Sequence, residues 1–165
     1  MGSECSPLIR QSLPVLDLTP MIRPFTSSDF EACVLVIQSN TPRYFAESEE
    51  AIYRSFLEQI PGEYFVVEDQ NQVLGCGGWA LNKDSTCALT WGMVQANQHG
   101  KGIGSRLLKH RLDCIFRTHP TSKARIETIP AVAPFFEKFG FSVTKKVENG
   151  FGNGFDQWIM VLNEW

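Results

Sequence analysis

The sequence lacks the cysteine and histidine patterns that hold disulfide frameworks or metal ions. Its five cysteines are odd in number and widely spaced, none forms a CxxC pair, and the three histidines show no metal-ligand spacing. We therefore expect a reducing, cytoplasmic location and no metal site. No run reaches the roughly 18 apolar residues of a membrane helix. The N-terminus also lacks the basic-then-apolar order of a secretion signal.

An excess of basic residues is missing as well. The chain has 15 Lys and Arg against 18 Asp and Glu, a net charge of -3, which gives no reason to expect nucleic acid as a partner. A small basic cluster, 101–111, reads either as a solvated helix face or as a contact for a phosphorylated small molecule. By contrast, 43% of the 165 residues are hydrophobic, including twelve phenylalanines, which suffices for the core of one domain.

Periodicity along the chain predicts a mixed α/β domain. Residues 1–20 contain three prolines and no clear pattern, so we predict an N-terminal extension and a compact domain over 21–165. The predicted order is β-α-α-β-β-β-α-β-α-β-β, with three consecutive strands forming an antiparallel meander. A capping box over Ser28–Glu31 should begin the first helix, and Ser48 should cap the second. The segment "ENGFGNGF" is predicted as a loop between the last two strands.

The segment "HGKGIGS" has a glycine at every second position just before an amphipathic helical stretch. Each glycine costs a helix roughly 1 kcal/mol relative to alanine, so close approach of a ligand or unusual backbone angles should explain them. A helix N-terminus offers unpaired N–H groups and partial positive charge, which together make an anion site. The Walker and dinucleotide patterns both require glycine at position 105, where this chain has Ser105.

A third phosphate-loop pattern fits these residues. The stretch "WGMVQANQHGKGIGSRLLKHRL" resembles the acetyl-CoA loop of the GCN5-related N-acetyltransferases (GNAT family), Gln/Arg-x-x-Gly-x-Gly/Ala, with His99 in place of Gln/Arg. A second segment, "APFFEKFGF" at 133–141, resembles another element of that family. The order of strands and helices over 21–165 matches too. The resemblance implies a mostly antiparallel central sheet that is splayed at the cofactor site, with helices on both faces.

The resemblance also implies acetyl-CoA as co-substrate and assigns its contacts. Amides of residues 100–105 would hold the diphosphate, and the backbone of Met93 and Val94 would pair with the pantetheine arm like an added strand. An amide near Met93 would polarise the thioester carbonyl. The residues expected to bind the cofactor are Met93, Val94, His99, Gly100, Lys101, Gly102, Ile103, Gly104, Ser105 and Phe136.

The catalytic groups are less clearly marked. Phe136 stands where many members carry a tyrosine that protonates the leaving thiolate, so Tyr44 or water is the alternative donor. Glu127 is the candidate general base, with Thr128 beside it to orient water; the other interpretation is a solvated strand residue. The catalytic residues we predict are therefore Glu127, Met93 and Tyr44. Acceptor contacts are expected from Glu47, Glu49 and Asp156.

Three functions remain open at this point. The leading hypothesis is an N-acetyltransferase that moves acetyl from acetyl-CoA to a primary amine, probably of a small molecule, by direct attack. The alternatives are a non-catalytic acyl-CoA sensor and an acetyltransferase of protein N-termini or lysines. An enclosed acceptor pocket would count against a protein acceptor. Because members of the family often dimerise, the resemblance leaves a homodimer open, and the sequence itself does not decide the oligomeric state.

Overall fold

The computed structural model describes residues 19–165, so nearly all of the predicted extension 1–20 lies outside the described residues. The strands and helices run in the predicted order: β1 (Met21–Pro24), α1 (Phe30–Asn40), α2 (Glu49–Glu58), β2 (Glu63–Asp69), β3 (Gln72–Leu81), β4 (Cys87–Val94), α3 (Ile103–Thr118), β5 (Ala124–Thr128), α4 (Ala133–Glu137), β6 (Ser142–Gly152) and β7 (Phe155–Leu162). The predicted mixed α/β class is confirmed.

The seven strands form one sheet in the order β1-β2-β3-β4-β5-β7-β6. Only β4 and β5 are parallel neighbours, and every other adjacent pair is antiparallel. β4 and β5 pair only where Cys87 faces Ala124 and Ala88 faces Arg125, and beyond these residues the two strands separate. The predicted splay is therefore present, and it opens the sheet on the side where β4 ends.

Helices cover both faces of the sheet and create two cores. On one face α3 and α4 pack against the strands through Leu107, Leu108, Leu112, Ile115 and Phe136. On the other face α1 and α2 pack through Val34, Val36, Ile37, Tyr53 and Leu57. Apolar residues of α3 recur at helical spacing, which is the pattern that predicted this helix from the sequence.

Both predicted helix caps differ from the structure. The chain enters α1 through Asp29, whose carboxylate accepts the Thr26 N–H at 2.8 Å and is held by the guanidinium of Arg23 at 2.8 Å, so the box begins two residues before Ser28. At α2, Ser48 already has helical backbone angles (φ -66°, ψ -19°) and makes no capping bond. A side-chain cap needs an extended residue at that position.

The predicted loop between the last two strands is in fact mostly strand. β6 continues to Gly152, and Asn153 and Gly154 form a two-residue turn into β7, with φ values of +54° and +83°. Positive φ at both central residues is typical of the type I′ hairpin turn, for which Asn-Gly is the preferred pair. The loop prediction was wrong: a glycine-rich composition is typical of loops, but here the Asn153-Gly154 pair alone forms the turn, and the residues before it continue the strand.

Candidate active site

Two of the three alternating glycines have a backbone that other residues rarely adopt. Gly100 and Gly102 have φ values of +76° and +79°, and a Cβ atom built on either would meet no atom within 4 Å. Gly104 is different: it lies inside α3, and its Cβ would make ordinary contacts of 3.7 Å with Phe135 and Val94. The first two glycines thus shape the loop and leave open space in front of it.

The loop presents a row of free amides. Within residues 19–165 the backbone N–H groups of 100–105 donate to no acceptor, and the first helical hydrogen bond is the one from the Arg106 N–H to the Gly102 oxygen at 3.1 Å. These donors stand at the positive end of the 16-residue helix α3. Such an arrangement fits a diphosphate, whose oxygens accept several hydrogen bonds at once.

Two side chains tie the end of β4 to the loop and to α1. The Val94 carbonyl accepts hydrogen bonds from Nε2 of His99 at 2.9 Å and from Nδ2 of Asn40 at 2.8 Å. Asn40 is buried and also donates to the Val36 oxygen at 2.8 Å. The ring of Tyr44 lies edge-on to His99, with centroids 5.7 Å apart. His99 therefore anchors the loop, and Asn40 has a role here that the sequence did not reveal.

The two predicted pantetheine contacts on β4 face opposite edges of the strand. Met93 lies opposite Cys76 of β3. Two residues after Met93, the Gln95 N–H donates to the Leu74 carbonyl of β3 at 2.8 Å. Because backbone groups alternate along a strand, those of Met93 face β3 and those of Val94 face the open edge towards β5. The Met93 side chain is buried in the core beneath α1 and α2.

A β-bulge interrupts β4 beside the cleft. Between Thr90 and Met93 two residues of β4 oppose the single Gly77 of β3. One of them, Trp91, has φ +40°, and its carbonyl accepts a hydrogen bond from the hydroxyl of Tyr64 at 2.8 Å. The Trp91 ring is held in a cluster of aromatic rings with centroid distances of 5.0 to 6.2 Å: Phe45, Tyr53 and Phe56. The bulge is therefore rigidly supported on the side of α1 and α2.

The splay between β4 and β5 forms a cleft of about 1340 Å³. Ligand pockets usually measure about 300–1,000 Å³, so this cleft can hold a large co-substrate and a second reactant together. It brings together most of the predicted site residues: Tyr44, Met93, Val94, His99, Gly100, Gly102, Ile103, Gly104, Ser105, Glu127, Thr128 and Phe136. Lys101, Glu47 and Asp156 do not line it. Lys101 instead donates to Oε1 of Gln98 at 3.2 Å.

The carboxylates near the cleft are placed in different ways. Both oxygens of Glu127 are engaged, one by Arg125 at 2.8 Å and the other by Gln157 at 2.6 Å. Glu49 accepts the Ala46 N–H at 2.7 Å, and partial burial raises the pKa of its carboxyl. Asp156 accepts the N–H of Asn149 at 2.8 Å, a contact that holds the β6–β7 hairpin.

Two aromatic residues of the predicted site differ in their polar capacity. Phe136 is buried and packs against the rings of Phe135 and Phe141, with centroid distances of 5.1 and 5.5 Å. It offers no proton. The Tyr44 hydroxyl has no hydrogen-bond partner among residues 19–165, and Tyr44 lines the cleft from the loop after α1.

Residues 19–165 contain no group of three or more His, Cys, Asp or Glu side chains that could hold a metal ion. In the same part of the chain no helix has the length and apolarity needed to cross a bilayer. Four cysteines are buried and free: Cys33, Cys76, Cys87 and Cys114.

Comparison with known proteins points to one family. The family model described as acetyltransferase (GNAT) domain matches residues 61–143, which include β2 to β5, the glycine loop and α4. No curated protein sequence is significantly similar to the chain.

Solved structures share the fold at low sequence identity. Ard1 from Thermoplasma volcanium superposes with a TM-score of 0.75 at 19% identity, covering 89% of this chain and 99% of that one. The ribosomal-protein-S18-alanine N-acetyltransferase from Escherichia coli gives 0.73 at 18% identity, with 89% and 96% covered. An aminoglycoside 6'-N-acetyltransferase complexed with coenzyme A gives 0.70 at 14% identity, with 86% and 96% covered.

Proposed function

Because the chain belongs to the GNAT acetyltransferase family, we propose that it transfers an acetyl group from acetyl-CoA to the primary amine of a small molecule. The observation that carries the proposal is the row of free N–H groups at 100–105, at the positive end of α3. The four free, buried cysteines support a reducing, cytoplasmic location for this activity.

The loop and the strand beside it divide the work of binding the co-substrate. Free amides of 100–105 would hold the diphosphate, and the left-handed Gly100 and Gly102 leave room for it. The Val94 N–H at the open edge of β4 would donate a hydrogen bond to the pantetheine arm, which would pair as an added strand, while the Val94 carbonyl stays bound to Asn40 and His99. Acetyl-CoA supplies the activated acetyl thioester.

The far end of the cleft supports a small acceptor rather than a protein segment. The segment between α1 and α2 contributes Tyr44 and Phe45, α2 contributes Phe56, and the β6–β7 hairpin contributes Phe151 and Phe155. The tip of the hairpin lies near the start of α2: Nδ2 of Asn153 donates to the hydroxyl of Ser48, the residue before α2, at 3.4 Å. Aromatic side chains thus border this end of the cleft on two sides, which favours a small acceptor over a protein segment lying in an open groove.

Direct attack requires that the chain position two reactants and remove one proton. We propose Glu127 as the general base and Tyr44 as the donor to the leaving group, since both line the cleft. Glu49 competes for the role of base. Partial burial raises the pKa of the Glu49 carboxyl, which makes it a stronger proton acceptor, whereas both oxygens of Glu127 are already engaged.

Two measurements test the proposal. Calorimetry should detect acetyl-CoA binding to the wild-type protein and not to Gly102→Val. A CoA-release assay over amines, amino acids, polyamines and peptides should then show turnover with a small amine. Binding without release for any acceptor would favour the sensor, and release with peptides alone would favour a protein acetyltransferase. Either result would overturn the small-amine proposal.

A further inference from the structure

Arg111 carries a positive charge that the protein buries without a counter-charge. The residue is 3% exposed and lies two turns into α3, on the side that faces the sheet. Its Nη1 makes one long hydrogen bond, 3.4 Å to the Gly78 carbonyl, and its Nε has no partner. No ion pair among residues 19–165 includes it. An arginine has five donors, so most of its capacity is unused.

The free donors lie at the β4 bulge and at the wall of the cleft. A Cβ built on Gly92 would come within 2.7 Å of Nη2 of Arg111, and one built on Gly77 within 3.1 Å of Nη1. Both glycines therefore make room for the guanidinium. Gly92 is exposed, and Arg111 itself lines the cleft together with Val94 and Phe136.

Burial without a partner is costly, and proteins usually avoid it. The titratable groups that interact electrostatically with Arg111 are Tyr64 of β2, Cys76 of β3 and His110 of α3, and none is a carboxylate. Desolvation lowers the pKa of Arg111 to about 10, so the side chain remains a cation at neutral pH. Among residues 19–165 the guanidinium thus has no carboxylate counter-ion, and an anionic ligand could reach it from the open cleft.

We propose that the guanidinium of Arg111 binds the thiolate that leaves when CoA is released, and so stabilises the negative charge on sulfur during acyl transfer. The inference rests on the proposed function. The amine lone pair forms the new bond to the thioester carbon, the carbon–sulfur bond breaks, and its electron pair stays on sulfur until Tyr44 donates a proton to it. The amine proton goes to the general base, and Arg111 keeps its own protons throughout.

This role accounts for Phe136 as well. A phenylalanine at this position cannot protonate the thiolate, and a fixed cation stabilises the same charge without transferring a proton. Such preorganised groups are most effective where water is excluded, which is the situation of a side chain that is 3% exposed.

The test measures the ionisation of the thiol of bound CoA. A free CoA thiol has a pKa of about 8.5 by analogy with cysteine. A cation within hydrogen-bond distance should lower it by about one to three pH units, visible in the ultraviolet absorbance of the thiolate as bound CoA is titrated. Arg111→Met should bring the midpoint back to at least the free value. Arg111→Lys should keep part of the shift, because the charge is retained.

Arg117→Met is the matched control, because it removes an exposed arginine of the same helix outside the cleft. It should titrate like the wild type. If the wild-type protein binds CoA and the thiol titrates as it does in solution, the Arg111 assignment is overturned and the proposed function stands. The assignment is likewise overturned, and the proposed function stands, if the titration midpoint of the bound thiol is shifted equally in the wild type and in Arg111→Met. Failure of the wild type to bind CoA would overturn both proposals.

Discussion

Replacement of Arg111 by methionine should make the free protein more stable. A pKa of about 10, against the usual arginine value above 12, means that burial disfavours the cation by about 3 kcal/mol. The folded-state pKa is depressed, so this penalty applies at every pH below about 10. Methionine can occupy much of the same space, because its side chain is also unbranched and flexible, and it carries no charge.

The loss that opposes this gain is small. Arg111 donates one long hydrogen bond, 3.4 Å to Gly78, for which we allow about 1 kcal/mol. The net gain in the free energy of unfolding is then about 2 kcal/mol. In a chain of this size each kcal/mol shifts Tm by about 2–4 °C, so we expect an increase of about 4–8 °C.

Urea denaturation and calorimetric melting of the free protein measure both quantities. Arg117→Met serves again as the control and should change the free energy of unfolding by less than about 0.5 kcal/mol, because the residue is exposed. An Arg111→Met variant that is less stable than the wild type would refute the reasoning. The guanidinium would then be compensated in the native state, and its burial would be no sign of a missing anion.

Three further outcomes are expected. Gly102→Val should lose acetyl-CoA binding in calorimetry, because its side chain would fill the open space in front of the loop. Its free energy of unfolding should fall by only about 1–2 kcal/mol, the cost of φ +79° for a residue with a Cβ atom. Gly104→Ala, the matched control, should bind normally. Glu127→Gln should abolish the acid limb of the pH profile of kcat/KM, because a base is inactive once it is protonated. Loss of that limb only in Glu49→Gln, whose carboxyl has a pKa raised by burial, would assign the base to Glu49 instead. Asp29→Asn should lower stability by about 2 kcal/mol at neutral pH in urea titrations. Hydrogen bonding to Arg23 lowers the pKa of Asp29, so this difference should shrink below about pH 4, and a constant difference would contradict the assignment.

Local signals in the sequence were sufficient for the order of elements and for the glycine loop. The free amides, the left-handed glycines and the helix N-terminus lie within a few consecutive residues, and the chemistry of each follows from residue type. The β4 bulge could not be predicted in this way, because it depends on how Trp91 and Gly77 meet across two strands. The same holds for Asn40, which contacts Val94 over a separation of 54 residues.

Arg111 is an instructive error of interpretation. As part of the basic cluster 101–111 it was assigned either to a solvated helix face or to a phosphate contact, and the structure buries it against the sheet. The signal was available, because Arg111 follows Leu107 by four residues and precedes Ile115 by four, which places it on the apolar face of α3. A charge that interrupts an apolar stripe of this kind indicates a functional role more strongly than one in a polar run.

Three independent costs to stability meet in one cleft. The amides of 100–105 leave their donors unused, Trp91 holds a positive φ inside a strand, and Arg111 Nε is the one buried side-chain nitrogen or oxygen without a partner among residues 19–165. By contrast Asp29, a buried polar residue outside the cleft, has its hydrogen-bond partners. Strain and unmet hydrogen bonds persist where they serve a ligand, so their coincidence assigns the cleft to chemistry on physical grounds, apart from any likeness to other proteins.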